Sequence, residues 1–300
     1  MLRPYGRPLD LPSRMANGKR IVKAACPSYL VIGHVSEDIA PSGTRLGGSF
    51  TYSAITAYNL GERVGGITST ASNLQLPDVF RNIDVIRVPS PVTTTFENIY
   101  VNSKRKQFIR ALASSIRPQD IPGAWLGADI VHLAPVAQEV SPEIARLFTQ
   151  SFIGVTPQGW MRRWDANGKV YRKPWSGAED ILKLADAVVL SADDIYGGEK
   201  IIAQYAQFTK VLVVTRGADG ADLHYQGQVH HFPAFPAVEI DPTGAGDVFA
   251  AAFFVKLHRG GDPFPAVRFA NCAASFAVEK VGLEGVPTLE QVNRRMEGKL

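Results

Sequence analysis

The 300-residue sequence holds only two cysteines, Cys26 and Cys272. They are far apart and have no histidine at ligand spacing, which excludes a disulfide scaffold and a thiolate zinc site and makes a reducing cytoplasm the expected location. Long apolar runs are missing too: nothing approaches the ~20 residues a membrane helix needs, and Lys23 interrupts the apolar window at residues 21–26. No secretory signal is evident. Charge of one sign is scarce, since 32 Lys and Arg against 28 Asp and Glu leave +4. That balance suits an anionic ligand but, with the basic residues scattered, not a nucleic-acid surface. The brief runs Lys104-Arg105-Lys106 and Arg162-Arg163 read as solvated faces, with contact to a phosphate as the alternative; Arg162 or Arg163 entering a cleft would suit an anionic ligand. The motifs GxxxxGK[ST], HExxH and GxSxG do not occur, which removes P-loop NTPases, zincins and typical serine hydrolases. His230-His231 has no spaced partners.

The composition present is that of a folded protein: 45% apolar and 20% charged residues, with no low-complexity tract. Residues 1–27, rich in Pro, Gly and basic side chains, read as a poorly ordered arm, with Met15 as an alternative start, ahead of one domain over 28–300. Beyond it, short β-branched runs alternate with helical patterns, as an α/β protein on a mostly parallel, doubly wound sheet requires. The run at 29–33 (YLVIG) reads as a buried central strand. Ser49 is placed to cap a helix over 50–60 that Gly61 ends. Further strands are expected at 129–133, 152–156, 187–191 and 211–214, and helices near 142–150, 179–185, 246–257 and 265–279. Residues 93–111 alternate in polarity around Asn102-Ser103-Lys104 and predict an antiparallel lid hairpin. Asn167-Gly168 predicts a second tight turn, in a hairpin or a surface loop.

The most informative segment is Asp241-Pro242-Thr243-Gly244-Ala245-Gly246-Asp247, which leads into an apolar helix. Gly244, Ala245 and Gly246 leave no bulky side chain between the backbone amides and a ligand, and the helix start favours negative charge. A transferring phosphoryl group suits such a place. Asp247 stands there as a general base for an attacking hydroxyl, although the helix terminus is expected to lower its pKa. Gly47-Gly48 either lets a ligand approach the backbone or simply turns the chain toward the Ser49 cap, and Asp38, just past the first strand, is either a solvated loop carboxylate or an acceptor for two neighbouring hydroxyls. His34 nearby reads as structural. Thr215, Gly217 and Gly220 follow a strand at the carboxyl edge of the sheet, where nucleotides bind; an ordinary turn accounts equally for the two glycines.

Together, the Asp241–Asp247 segment and Gly47-Gly48, in this order between about residues 29 and 287, resemble the signatures of the ribokinase-like (PfkB) carbohydrate kinases. The resemblance implies an ATP-dependent kinase with an α/β core and a small β lid. It assigns Asp247 as base, with Gly244, Ala245 and Gly246 at the anion hole, and Asp38, Gly47 and Gly48 at the acceptor. Thr215, Gly217, Gly220, Ser191 and, from a later helix, Asn271 fall at the nucleotide. Ser191-Ala192-Asp193-Asp194 takes the place of the family's Asn-x-x-Glu motif with both signature residues altered. Asp194 is able to hold a Mg²⁺-bound water, and a helix N-cap with acids in its first turn explains the same residues. Asp241 resembles part of a loop for K⁺.

Thr93-Thr94-Thr95-Phe96, Gln158 through Asp165, Ser191 and Phe232 through Val238 look like the myo-inositol kinase branch. Only eight residues separate Asp38 from Gly47, so a reduced lid carried mainly by 93–111 is expected. A cyclitol leads as acceptor. Another sugar, a sugar phosphate or a nucleoside remains open, as does a non-catalytic sugar-binding module. Partners beyond the small molecule are not indicated; the chain is expected to be a monomer or a homodimer.

Overall fold

The computed structural model describes residues 25–299 apart from 41, 42, 102 and 103. Most of the expected arm and the tip of the expected lid hairpin thus lie outside the described residues. In chain order the first half contains β1 (Tyr29–Ile32), β2 (Ser36–Ala40), β3 (Gly43–Gly47), α1 (Ser49–Asn59), β4 (Val64–Thr70), β5 (Asp84–Pro89), β6 (Thr94–Val101), β7 (Lys104–Ala111) and β8 (Ile130–Leu133). Then come β9 (Phe152–Val155), β10 (Arg162–Trp164), β11 (Val170–Arg172), α2 (Ala178–Leu184), β12 (Ala187–Ser191), α3 (Glu199–Ala206) and β13 (Val211–Thr215). The chain finishes with β14 (Ala221–Tyr225), β15 (Gln228–Phe232), α4 (Ala245–Gly260), α5 (Pro263–Ala277) and α6 (Leu289–Met296).

Nine strands form one sheet in the order β15-β14-β13-β12-β9-β8-β1-β4-β5. The strands from β13 to β5 are parallel, and β14 and β15 return antiparallel. All four residues of β1 are buried. Strict alternation divides them between two cores: Tyr29 and Val31 face the layer of α1, α4 and α5, whereas Leu30 and Ile32 face the layer that holds Leu182 of α2 and Ile202 of α3. The α4 helix is apolar on every side and sits inside, with Val248 through Val255 all buried. The expected helix at 142–150 is instead a 3₁₀ turn over Pro142–Leu147, ended where Phe148 leaves helical geometry to enter the core. Among the described residues no helix is long and apolar enough to cross a membrane.

The lid is larger than the sequence implies. β2 and β3 pair antiparallel, with Asp38 opposite Arg45 and Gly43 at φ 115° where β3 starts. Parallel pairing of β2 with β6 then makes a four-stranded sheet, β3-β2-β6-β7. The expectation of a reduced lid fails because eight residues suffice for one tight hairpin to join an existing sheet edge. The Asn167-Gly168 turn is a hairpin, β10–β11, and the Gly168 carbonyl accepts from the Ile109 amide at 2.8 Å, so it flanks the free edge of β7. His34, fully buried, ties the lid roots to the core. Its Nδ1 lies 2.7 Å from Thr94 Oγ1 and its Nε2 3.0 Å from the Ser114 carbonyl.

Candidate active site

The amino end of α1 sits beneath the lid at the carboxyl end of β1. Close approach crowds both Gly47 and Gly48 there, Gly47 against a side chain and Gly48 against backbone. A β-carbon on Gly47 would collide with the Asp38 carboxylate, and one on Gly48, whose φ is 90°, would stand 2.6 Å from the His34 carbonyl oxygen. Gly48 therefore occupies the N-cap, and Ser49, expected to cap, is the first helical residue. The Ser49 hydroxyl instead donates to the side chain of Asp247.

The Gly244 backbone is left-handed at φ 80°, and a β-carbon on it would run into the Tyr52 ring of α1. This turn aims the chain into α4. The amides of Ala245 and Asp247 bond back to the Pro242 and Gly244 carbonyls at 3.3 and 3.0 Å. Those of Gly244 and Gly246 have no acceptor among the described residues, so two of the four expected donors remain for an anion. Asp247 is half-buried at the head of α4. Burial pushes its carboxyl up to about 6; the Ser49 hydroxyl and the Arg162 charge oppose this, while Asp194 and Asp38 add to it. The expected lowering by the helix end is thus overturned, because desolvation and two neighbouring carboxylates outweigh it.

Asp241 staples the turn. Its Oδ1 accepts from the Thr243 amide at 3.0 Å and its Oδ2 from the Gly282 amide at 3.1 Å. Burial disfavours its charge, but these bonds and Arg45 outweigh burial and hold its pKa below the usual range. Ser191 caps a short 3₁₀ turn, Ala192–Asp194, accepting from the Asp193 amide at 3.2 Å. Asp194 Oδ2 accepts from Gln158 Nε2 at 2.9 Å. Thr215 closes β13, with Oγ1 3.4 Å from the Leu190 carbonyl. Gly217, at φ 58°, is open, whereas Gly220 is buried with no space for a β-carbon beside the Phe232 carbonyl. Asn271 donates from Nδ2 to the carbonyls of Phe232 and Pro233, both at 3.3 Å, and so holds the segment that follows β15.

Of the arginine pair, only Arg163 behaves as a surface residue, lying over the Tyr171 ring at 4.9 Å. Arg162 is buried, 8% exposed, with Nη1 donating to the Val136 carbonyl at 3.1 Å and its guanidinium 5.7 Å from the Phe96 ring of the lid. Its solvated-face reading is corrected: the β10–β11 hairpin turns it inward.

Residues 176–289 match the family model described as pfkB family carbohydrate kinase, a stretch that contains Ser191, Thr215, Gly217, Gly220 and the whole Asp241–Asp247 turn. Over that stretch the chain resembles the pfkB family carbohydrate kinases. A fructokinase from Klebsiella pneumoniae is 28% identical over 207 residues, 60% of this chain and 65% of that protein. An inositol 3-kinase from Zea mays is 43% identical over 77 residues, 26% of this chain and 20% of that one. The chain thus spans just under two thirds of the fructokinase and a fifth of the inositol kinase. Among solved structures, a pyrophosphate-dependent kinase in the ribokinase family, complexed with a pyrophosphate analog and myo-inositol, superposes with a TM-score of 0.70. It is 24% identical, covers 86% of this chain and 98% of its own, and establishes the ribokinase-like fold.

No group of three His, Cys, Asp or Glu side chains stands together as a metal cage among the described residues. The Asp194 carboxylate, one oxygen of which accepts from Gln158, fits an ion that keeps its waters and asks for few protein ligands, as Mg²⁺ does. The sequence left open whether Arg162 or Arg163 turns into the cleft, and the structure turns Arg162 inward. Sequence reasoning did not connect the Ser49 hydroxyl to Asp247 or Gln158 to Asp194; Ser49 directly follows Gly47-Gly48, and Gln158 lies in a stretch read only as a branch likeness.

Proposed function

We propose that the protein transfers the γ-phosphoryl group of ATP to a hydroxyl of a small polyol, with myo-inositol or a related cyclitol as the leading acceptor. The observation that carries this reading is Asp247, a carboxyl poised at about 6 beside the free Gly244 and Gly246 amides and within electrostatic reach of Asp38 and Arg162. Above that pH Asp247 is ionised and accepts the proton of the acceptor hydroxyl. The acceptor oxygen forms a bond to the γ-phosphorus as the bond to the ADP oxygen breaks, with charge spread over the transferred oxygens. The two amides and the start of α4 stabilise that charge. Asp38, with the Gly47-Gly48 backbone, takes the acceptor's other hydroxyls. Mg²⁺, held through Asp194, would neutralise phosphate charge. Thr215 and Gly217 line the nucleotide side, with Gly220 and Asn271 shaping the segment behind it; a K⁺ ion at Asp241 would have to share carboxylate oxygens that both already hold the turn.

A second acceptor class is favoured by Arg162. A buried cation next to the base suits an anionic acceptor, a sugar phosphate, as well as it suits orienting a neutral polyol. The experiment is product formation across inositols, hexoses, pentoses, nucleosides and sugar phosphates, run with Mg·ATP and again with Mg·pyrophosphate. Highest kcat/KM for myo-inositol with ATP supports the reading. A sugar phosphate ahead of it moves the acceptor to the anionic class, pyrophosphate ahead of ATP changes the donor, and no product with any pair leaves a binding module.

A further inference from the structure

Phe152, Gly154 and Thr156 share one face of β9 and its end, by the two-residue period of a strand. The α4 helix lies on that face: the Phe152 ring is 5.8 Å from His258 and 6.1 Å from Phe254, and a β-carbon at Gly154 would stand 2.6 Å from the Phe254 ring. Strand and helix therefore run antiparallel in a defined register. Two strand residues rise ~6.6 Å, the length of about four helical residues, which sets Thr156 level with Ala250, roughly one turn below Asp247.

Thr156 also closes a buried polar chain. Tyr29 Oη is 2.8 Å from His132 Nδ1, and His132 Nε2 is 3.0 Å from Thr156 Oγ1. Tyr29 and His132 are fully buried, and burial drives the histidine down to about 3, so the imidazole is neutral. A neutral imidazole donates from one nitrogen and accepts at the other. Were the proton on Nδ1, the Tyr29 hydroxyl hydrogen would have no acceptor among the described residues, inside the core, a costly loss. Tyr29 hence donates to Nδ1, Nε2–H donates to Thr156, and the Thr156 hydroxyl hydrogen is directed elsewhere. No protein acceptor meets it among the described residues.

We propose that Thr156 is a substrate-binding residue whose hydroxyl, held as a donor by the positioning residues Tyr29 and His132, bonds an oxygen of substrate lodged between the end of β9 and the first turn of α4. This rests on the kinase reading for the identity of the substrate. The oxygen is either a hydroxyl of the polyol or a phosphoryl oxygen of the nucleotide, both of which accept.

Two measurements on the full chain test it. ¹⁵N NMR of the histidines should show His132 protonated at Nε2; protonation at Nδ1 overturns the proposal. Calorimetric affinities for myo-inositol and for Mg·ATP, on wild type, Thr156→Val, Thr156→Ser and Tyr29→Phe, with melting curves for each, read the binding role. Thr156→Val should weaken one ligand about 3- to 10-fold without loss of fold, and Thr156→Ser should recover most of it. Tyr29→Phe, which releases the constraint on the tautomer, should weaken the same ligand less. The ligand affected tells polyol from nucleotide. Equal affinities for wild type and Thr156→Val overturn the proposal, whereas a wild type that binds neither ligand overturns the kinase reading itself.

Discussion

The Asp38 carboxylate stands so close to Gly47 that a β-carbon there would collide with its Oδ2. Asp38 on β2 lies diagonal to Gly47 at the end of β3, whose register partner is Ser36. Gly47→Ala must displace the carboxylate that would hold the acceptor. We expect acceptor KM to rise at least about 10-fold while KM for ATP stays within about 2-fold, with Asp38→Ala acting in the same direction. Steady-state kinetics with each substrate varied in turn checks this, and an unchanged acceptor KM in both variants removes Asp38 from the acceptor site.

Asp247→Asn should lower kcat by on the order of 10² to 10⁴. It should also stabilise the protein at neutral pH. The folded carboxyl titrates near 6 and the unfolded one near its ordinary 3.8, so the folded state binds more protons between these values and stability falls as pH rises through that window. Removing the charge returns about 1 to 3 kcal/mol above pH 6 and almost nothing below pH 4. Urea unfolding at pH 4 and 7.5 distinguishes this from a neutral substitution.

With Asp247 as base, log kcat/KM should fall on an acid limb near pH 6. The Ser49 hydroxyl favours the ionised form, so Ser49→Ala should move that limb upward by roughly 0.5 to 1 unit and leave the rate at pH 8 little changed. A limb that stays in place separates Ser49 from the base.

Arg162→Met removes a buried cation that also favours ionised Asp247. The acid limb should again move upward, and the fate of KM should divide acceptor classes: a loss of 10²-fold or more for an anionic acceptor, a few-fold for a neutral polyol. Kinetics on myo-inositol and on a sugar phosphate, with Arg162→Lys as the charge-preserving companion, makes the comparison.

Asp194→Asn keeps shape and the Gln158 contact but removes the carboxylate charge. The Mg²⁺ concentration for half-maximal rate should rise about 10-fold, with kcat recovered at saturation. An unaltered Mg²⁺ dependence would leave Asp194 only as part of the turn that Ser191 caps.

Much of this molecule is determined by local sequence. The YLVI run, the β-branched strands between helices and the Gly-Ala-Gly-Asp turn prescribe a parallel sheet and a helix that starts on small residues, since backbone preference and burial of one strand act over a few residues. The lid hairpin at 93–111 was legible for the same reason, in its alternating polarity. Tertiary structure decided what depends on partners distant in sequence. Ser49 serves Asp247 instead of a helix cap because Gly48 alone fits against His34. Arg162 is interior because the β10–β11 hairpin packs on the lid edge. Asp247 is raised rather than lowered because folding removes water from it, with Asp194 and Asp38 adding to the effect, and the direction of Tyr29, His132 and Thr156 exists only once three parallel strands bring them together. Ionisation and hydrogen-bond direction depend on the whole surrounding field, which no short stretch of chain contains.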